Sequence, residues 1–534
     1  MHTGRFIMKY RSWIYLTVLI GAGLISCTSL PPIPGTDGQG SARITKFTIT
    51  KADNAFIKEF SIACDIQEGA DSGIIHGILP AGTKPFINVR WTTKKGVLWV
   101  DGIRLSSKKP LDSSSVSQIV AVDAQGKTRL YRLDIREAAI PTIYIETENS
   151  APILTKTDWV KGKVSIVGGS TSWSKPLKAS GMKVRGRGNS TWGMAKKPYR
   201  FTLDEAAPVL GLPKAKKWVL LANYSDKSLL RNFVAFSVAS TLDGLEYPVH
   251  QYPVNLYLNG EYEGIYGLGE QVETGAGRVS IEKPDDSPET SFFIEVNMRI
   301  DSETEKGVLG KDFFMSPSGL KLEYKTPDTD VVSDIQRKNI AAFIAEAEKA
   351  ILAGEGYERY IDVDSFIDWL IMEELFKNQD SIFLSSVYLN RQKGGKLTLG
   401  PVWDFDLAAG NSDYGAIGQQ PTKDPEGWFP LYSEWFSGLY RDRVFRQAVA
   451  LRWSTLRAKL EQKTFEAIEE YTALLSEVQE DNFRRWPIMG VYVWPNPPEL
   501  VAAATYEAQV EALAAWFRAR FLWMDGAMRI LADM

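Results

Sequence analysis

The chain has 534 residues, 44% of them hydrophobic, 24% charged and 11% aromatic, which is enough apolar material for a large core across several domains. A net charge of −3 gives no bulk attraction to nucleic acid or to an anionic membrane. Three histidines (His2, His76, His250) and two cysteines (Cys27, Cys64) exclude a Cys/His zinc site and a disulfide framework, and leave any catalysis to carboxylates, lysine and arginine.

At the start, Arg5, Lys9 and Arg11 precede the apolar "WIYLTVLIGAGLIS", which has the length of a signal h-region and is short for a membrane span. It ends at "LISC", similar to a bacterial lipobox, so residues 1–27 read as a lipoprotein signal with Cys27 as the lipidated residue. The other reading is a cleaved signal with an incidental cysteine. The expected location is the cell envelope, lipid-anchored outside the cytoplasm. Residues 28–42, rich in Pro, Gly and Ser, read as a flexible tether. From 43 to 138 short alternating runs such as "TRLYRLDIRE", with Tyr131, Leu133 and Ile135 on one face, predict a small all-β, immunoglobulin-like sandwich. Asp101-Gly102 marks a hairpin within it. Nothing in this module supplies acids, bases or a phosphate cradle, so it is expected to be dispensable for chemistry.

The remainder, 140–534, mixes strands and helices, which makes the whole chain α+β. "PVNLYLNGEYEGIYGLGEQVE" predicts two strands about Asn259-Gly260. "DKSLLRNFVAFSVASTL" carries Leu230, Phe233, Val234 and Val238 at helical spacing. A further helix through "DIQRKNIAAFIAEAEKAILAG" stops at Gly354, and the region from about Lys463 onward is helical apart from residues 486–498.

"DVDSFIDWLIMEELFKNQD" predicts a helix with Asp380 just past its end; "SSVYLN", a glycine turn and "KLTLGPVW" predict a hairpin, followed by Asp404-Phe405-Asp406. A hairpin joins its two ends, so Asp380 and Asp404 become neighbours. Two adjacent carboxylates repel unless a cation bridges them, and without histidine the natural bridge is Mg²⁺ shared with phosphate oxygens. The alternative is a solvated acidic turn. "KVRGRGNSTWGMAKKPYRFTLD" brings Arg185, Arg187, Lys196, Lys197 and Arg200 around a Gly-Asn-Ser-Thr turn. It is suited to phosphates but fits neither a Walker A loop nor a G-x-G-x-x-G fingerprint, and a solvated strand face remains the alternative.

Taken in order, "MKVRGRGNSTWGMAKKPYRFTLD", "WVLLANYSDKSLLRNFVA", "YPVNLYLNGEYEGIYGLGEQVE", "DSFIDWLIMEELFKNQDSIFLSSVYL" and "GPVWDFDLAAGN" resemble the spore-coat protein H (CotH) kinase family. The resemblance implies an atypical protein-kinase-like domain that uses ATP with Mg²⁺ or Mn²⁺ to phosphorylate Ser/Thr of extracytoplasmic proteins; no nucleic-acid partner is expected. Asp380 matches the family's catalytic aspartate, Asp404 its metal-binding aspartate and Asp406 the second acid of that motif. Lys197 is the first choice for the phosphate-binding lysine, with Arg187 and Lys196 as rivals and Glu270 as its carboxylate partner. Ser385-Ser386 stands where some members carry a metal-holding asparagine. Two other classes remain open: a non-catalytic surface or adhesion lipoprotein on a kinase-like scaffold, and a metal-dependent glycosyltransferase using Asp-X-Asp.

Overall fold

The computed structural model describes residues 41–55, 61–80, 86–106, 110–116, 118–302, 306–415 and 421–533. The signal segment, Cys27 and the tether up to residue 40 lie outside them.

The first ten strands are β1 (Arg43–Ile49), β2 (Ile62–Ala63), β3 (Asp65–Glu68), β4 (Ser72–Leu79) and β5 (Phe86–Lys94), then β6 (Gly96–Val100), β7 (Ile103–Arg104), β8 (Pro110–Asp112), β9 (Gln118–Asp123) and β10 (Thr128–Glu137). They form two sheets, ordered β2-β1-β5-β8 and β3-β4-β10-β9-β6-β7. Phe47, Val89, Leu98 and Tyr131 share one buried cluster contributed by both sheets. Alternation decides the inward face: Tyr131 and Leu133 are buried while Arg132 between them is exposed. Asp101 and Gly102, both at positive φ, form the turn between β6 and β7. The cluster does not end with the module, since Tyr144 and Tyr257 from the next unit belong to it.

That next unit comprises β11 (Thr142–Thr147), β12 (Val160–Val167), β13 (Leu177–Gly186), β14 (Tyr199–Ala207), β15 (Ala215–Leu221), β16 (Gln251–Leu258) and β17 (Glu261–Glu270). They close into a barrel ordered β11-β12-β13-β14-β15-β17-β16, sealed by parallel pairing of β11 with β16. Val184, Phe201, Leu203, Trp218 and Tyr266 fill its interior. Helix α1 (Arg231–Ala239) lies between β15 and β16 in the chain. It begins five residues later than the start of its apolar segment because the Asp226 carboxylate accepts from the backbone N–H groups of Ser228 (3.1 Å) and Arg231 (2.9 Å), holding residues 226–230 in a turn.

A third sheet, of β18 (Phe292–Val296), β19 (Phe313–Met315), β20 (Lys321–Thr326), β21 (Val387–Arg391) and β22 (Leu397–Leu399), runs β19-β20-β18-β21-β22. Between β20 and β21 come α2 (Asp334–Ala353), with a Ser333/Gln336 capping box and Gly354 at its left-handed end, and α3 (Val363–Phe376). Every residue of α3 from Ser365 onward is buried, and two of its acids have cationic partners: Asp368 with Arg452 (2.8 Å) and Glu374 with Arg520 (2.9 Å). Helices α4 (Glu434–Leu439), α5 (Arg443–Leu475), α6 (Gln479–Arg485), α7 (Pro498–Ala502) and α8 (Tyr506–Asp533) complete the chain, so the helical region starts at Glu434 rather than at the expected Lys463. Among the described residues no helix is long and apolar enough to cross a membrane.

Candidate active site

The hairpin holds the two key acids together. β21 and β22 pair with Leu389 opposite Leu399, and the returning strand stops at Leu399 because Pro401 has no N–H for a ladder. Asp380 follows the left-handed cap of α3 at Lys377, whose Nζ donates to the carbonyls of Asp424 (2.9 Å) and Glu426 (2.6 Å). Asp380 and Asp404 line one cleft of about 510 Å³, which Asp406, Arg187 and Arg299 also line.

Phe405 explains the Asp-Phe-Asp pattern. Its ring is fully buried between Phe376 (5.2 Å) and Phe236 (6.2 Å), while its N–H donates to Asn232 Oδ1 at 2.8 Å. Anchored there, the backbone turns Asp404 at φ +68°, a left-handed conformation that aspartate tolerates better than most residues. The following turn is clamped by Arg231, which donates to the carbonyls of Ala408 (2.9 Å) and Ala409 (3.1 Å).

Charge is concentrated in this cleft. Burial, then the Asp404 carboxylate, pushes Asp380 up to about 6, against Arg299 and a 2.9 Å hydrogen bond from Ser385 Oγ to its Oδ2. Burial also raises Asp404, opposed by Arg187 and Arg299. Asp406 is raised well above the usual carboxylate range, by burial and then by Asp404, Asp226 and Asp380. Neither Asp404 nor Asp406 has a cationic side chain within ion-pair distance among the described residues. No group of three or more His, Cys, Asp or Glu side chains among them is arranged to hold a metal ion. Facing the acids is a cationic wall of Arg185, Arg187 and Arg200, with the Arg187 guanidinium 5.7 Å from the Trp403 ring.

Of the residues singled out by sequence, Asp380, Asp404, Asp406 and Arg187 converge on the cleft. Lys197 does not: its Nζ donates to the Trp192 carbonyl (2.8 Å) and lies over the Trp192 ring, away from the acids. Lys196 is buried behind the cleft, where its Nζ donates to the Ile265 carbonyl (2.5 Å) and Asn482 Oδ1 (3.0 Å), and burial pushes it down to about 7. It shares a small space with Asp404, Asp406 and Arg187 beneath the cleft floor. Among the described residues Glu270 pairs with no lysine; it is bound by Arg278 Nη1 (2.6 Å) and the Tyr247 hydroxyl (2.6 Å).

Sequence reasoning missed Arg299, whose Nη2 lies 4.0 Å from Asp380 Oδ1, and Lys325, held between Glu295 and Glu323 at 2.7 Å from each. Asp226, Arg231 and Asn232 lie in "DKSLLRN", whose apolar spacing marks a helix; the polar residues flanking Leu229-Leu230 were the available signal. Lys325 had none, because Glu295 belongs to a different strand.

A mixed α/β chain with an all-β N-terminal region and opposed clusters of carboxylates and guanidinia in one cleft is thus defined. Residues 184–524 match the model of a family described as CotH kinase protein, and the chain belongs to that family. No curated protein matches it.

Proposed function

We propose that the protein is a surface-anchored atypical kinase that transfers the γ-phosphoryl group of ATP to Ser or Thr hydroxyls of extracytoplasmic proteins. The observation that carries this reading is the convergence of Asp380, Asp404 and Arg187 on one cleft. Asp380 accepts the proton of the acceptor hydroxyl and orients it; its raised affinity for a proton suits a general base working near neutral pH. The Ser385 hydroxyl fixes which carboxylate oxygen remains free for that work. Arg187 and Arg299 meet phosphate oxygens, which the planar fork of a guanidinium group can bind two at a time.

The acids also fit Mg²⁺ or Mn²⁺. Among the described residues Asp404 and Asp406 have no ion-pair partner, the Asp404 charge raises the proton affinity of both Asp406 and Asp380, and the acids sit beside the arginines of the cleft, as a cation bound by one or two carboxylates plus phosphate oxygens requires. Bound there, the ion supplies neutralisation of phosphate charge. Lys197, held by Trp192, takes no part; Lys196 supports the floor beneath the acids.

Incubating the purified protein with labelled ATP, Mg²⁺ or Mn²⁺ and generic protein acceptors tests this reading. Metal-dependent label on Ser or Thr supports it. Absence of Mg-ATP binding in a calorimetric titration would favour a non-catalytic surface protein. Metal-dependent protection by a nucleotide sugar but not by ATP would favour a glycosyltransferase.

A further inference from the structure

Alternate residues along β13 and just past it, Lys183, Arg185 and Arg187, carry cations on the outside of the barrel, while Met182 and Val184 face its core. Strand register extends this row sideways: Lys161 is directly opposite Lys183, and Arg200 directly opposite Arg185. Like charges facing each other across an antiparallel pair are destabilising. The half-buried Trp159 lies among them, with Lys183 Nζ 4.9 Å, Arg185 Cζ 4.5 Å and Arg200 Cζ 5.6 Å from its ring centroid. Burial and the Arg185 and Arg187 charges push Arg200 down to about 10. The Nε groups of both Arg185 and Arg200 are buried without a hydrogen-bond partner. Among the described residues no carboxylate forms an ion pair with Lys161, Lys183, Arg185 or Arg200, whereas Lys217, farther along the same wall, pairs with Glu273 at 2.7 Å. The Glu273 carboxylate, already paired with Lys217, partly offsets the charge at Arg200, and no ion pair among the described residues neutralises the rest of the row.

Arg185, Arg187 and Arg200 line the cleft, but Lys161 and Lys183 do not, so the row reaches beyond what bound nucleotide phosphates would cover. Alternate side chains of a strand repeat every ~7 Å, which is also the repeat of alternate side chains in an extended peptide laid beside it. A flat lipid surface cannot follow the row into a cleft of about 510 Å³; a single extended chain can.

We infer that this face docks an acidic segment of the polypeptide that carries the acceptor hydroxyl, leading it from Lys161 and Lys183 past Trp159 and Arg185 toward Asp380. Delivery of a hydroxyl rests on the kinase reading above; the docking itself does not.

The test uses the full-length protein and two fluorescent peptides, each with a central serine, one with glutamate and the other with glutamine at alternate flanking positions. Anisotropy is measured without nucleotide and over a range of NaCl concentrations. The glutamate peptide should bind roughly tenfold more tightly than the glutamine peptide, with the gap closing as salt rises. The double variant K161E/K183E should lose that preference while keeping the parent's Mg-ATP affinity and thermal midpoint. Equal binding of the two peptides by the parent overturns the inference. So does a parent with no peptide preference whose binding to phosphatidylglycerol vesicles is lost in K161E/K183E, which would assign the face to a membrane. A preserved peptide preference in a protein that transfers no phosphate supports the dock and removes the kinase reading alone.

Discussion

Arg231 and Asp226 form a fully buried ion pair, Nη1 to Oδ1 at 2.5 Å, and through it the start of α1 grips the turn that follows Asp404 and Asp406. With the hydrogen bond from the Phe405 N–H to Asn232 Oδ1, the pair ties the start of α1 to the acidic motif. Desolvating two charges is costly, and their partnership with backbone groups is what offsets it.

Removing one partner should therefore be expensive. Asp226→Asn leaves the Arg231 charge buried without its counter-ion, and the expected loss is about 3–5 kcal/mol of folding stability. Urea denaturation of variant and parent at neutral pH measures it; a loss below about 1 kcal/mol would show that Arg231 is held well enough by the Ala408 and Ala409 carbonyls alone.

Asp380 should leave a signature in the pH dependence of stability when divalent ions are chelated. Its folded-state value of about 6 lies above the usual 3.8, so the folded protein holds a proton that the unfolded chain has released. The stability this contributes is present below about pH 4 and lost as pH rises through about 6. Asp380→Asn lacks that loss, so the variant's stability relative to the parent should climb between these limits. Denaturation profiles at pH 4.5 and 7 in EDTA test the sign, and parallel profiles would refute it.

The N-terminal module should matter for stability, although it contributes nothing to the cleft lining. Tyr144 and Tyr257 are buried in its core, and the Ala63 N–H donates to the Gly260 carbonyl at 2.9 Å. A protein starting at residue 140 would expose both rings, at a cost of about 1.5–3 kcal/mol each. Its thermal midpoint should fall clearly, while Mg-ATP affinity measured below that midpoint stays near the parent's. An unchanged midpoint would show the tyrosines to be covered another way.

The proposed lipid anchorage rests on one thiol. Cys27→Ser should abolish lipid labelling and membrane retention. A variant that still partitions with the membrane fraction would remove Cys27 as the anchor.

What was legible in the sequence was local. The hairpin around Gly394-Gly395, the Asn259-Gly260 turn (φ +51° and +86°) and the cap at Gly354 all follow from turn chemistry and periodicity. The meeting of Asp380 with Asp404 follows from the hairpin alone. Barrel closure was not legible, because β11 and β16 pair in parallel across about a hundred residues of intervening chain, with no local period to announce it. The same holds for the partners of Glu270 and Asp380: Arg278 and Arg299 are ordinary arginines until the strands bring them in. Lys196 and Lys197 are adjacent in sequence and lie just before β14. Only tertiary packing sends one beneath the acids and the other to Trp192.

The most direct measurement of the central claim compares Asp380→Asn and Asp404→Asn for Mg-ATP affinity and phosphotransfer rate. A carboxylate that holds the metal contributes to binding and turnover alike, whereas one that acts on the acceptor hydroxyl contributes to turnover alone. Asp404→Asn should weaken metal-dependent ATP binding and transfer together, and Asp380→Asn should leave Mg-ATP affinity near the parent's while lowering the rate by about 10² or more. Equal and small effects of both substitutions on binding and rate would contradict the account and leave the two acids as a charged turn at a hairpin mouth.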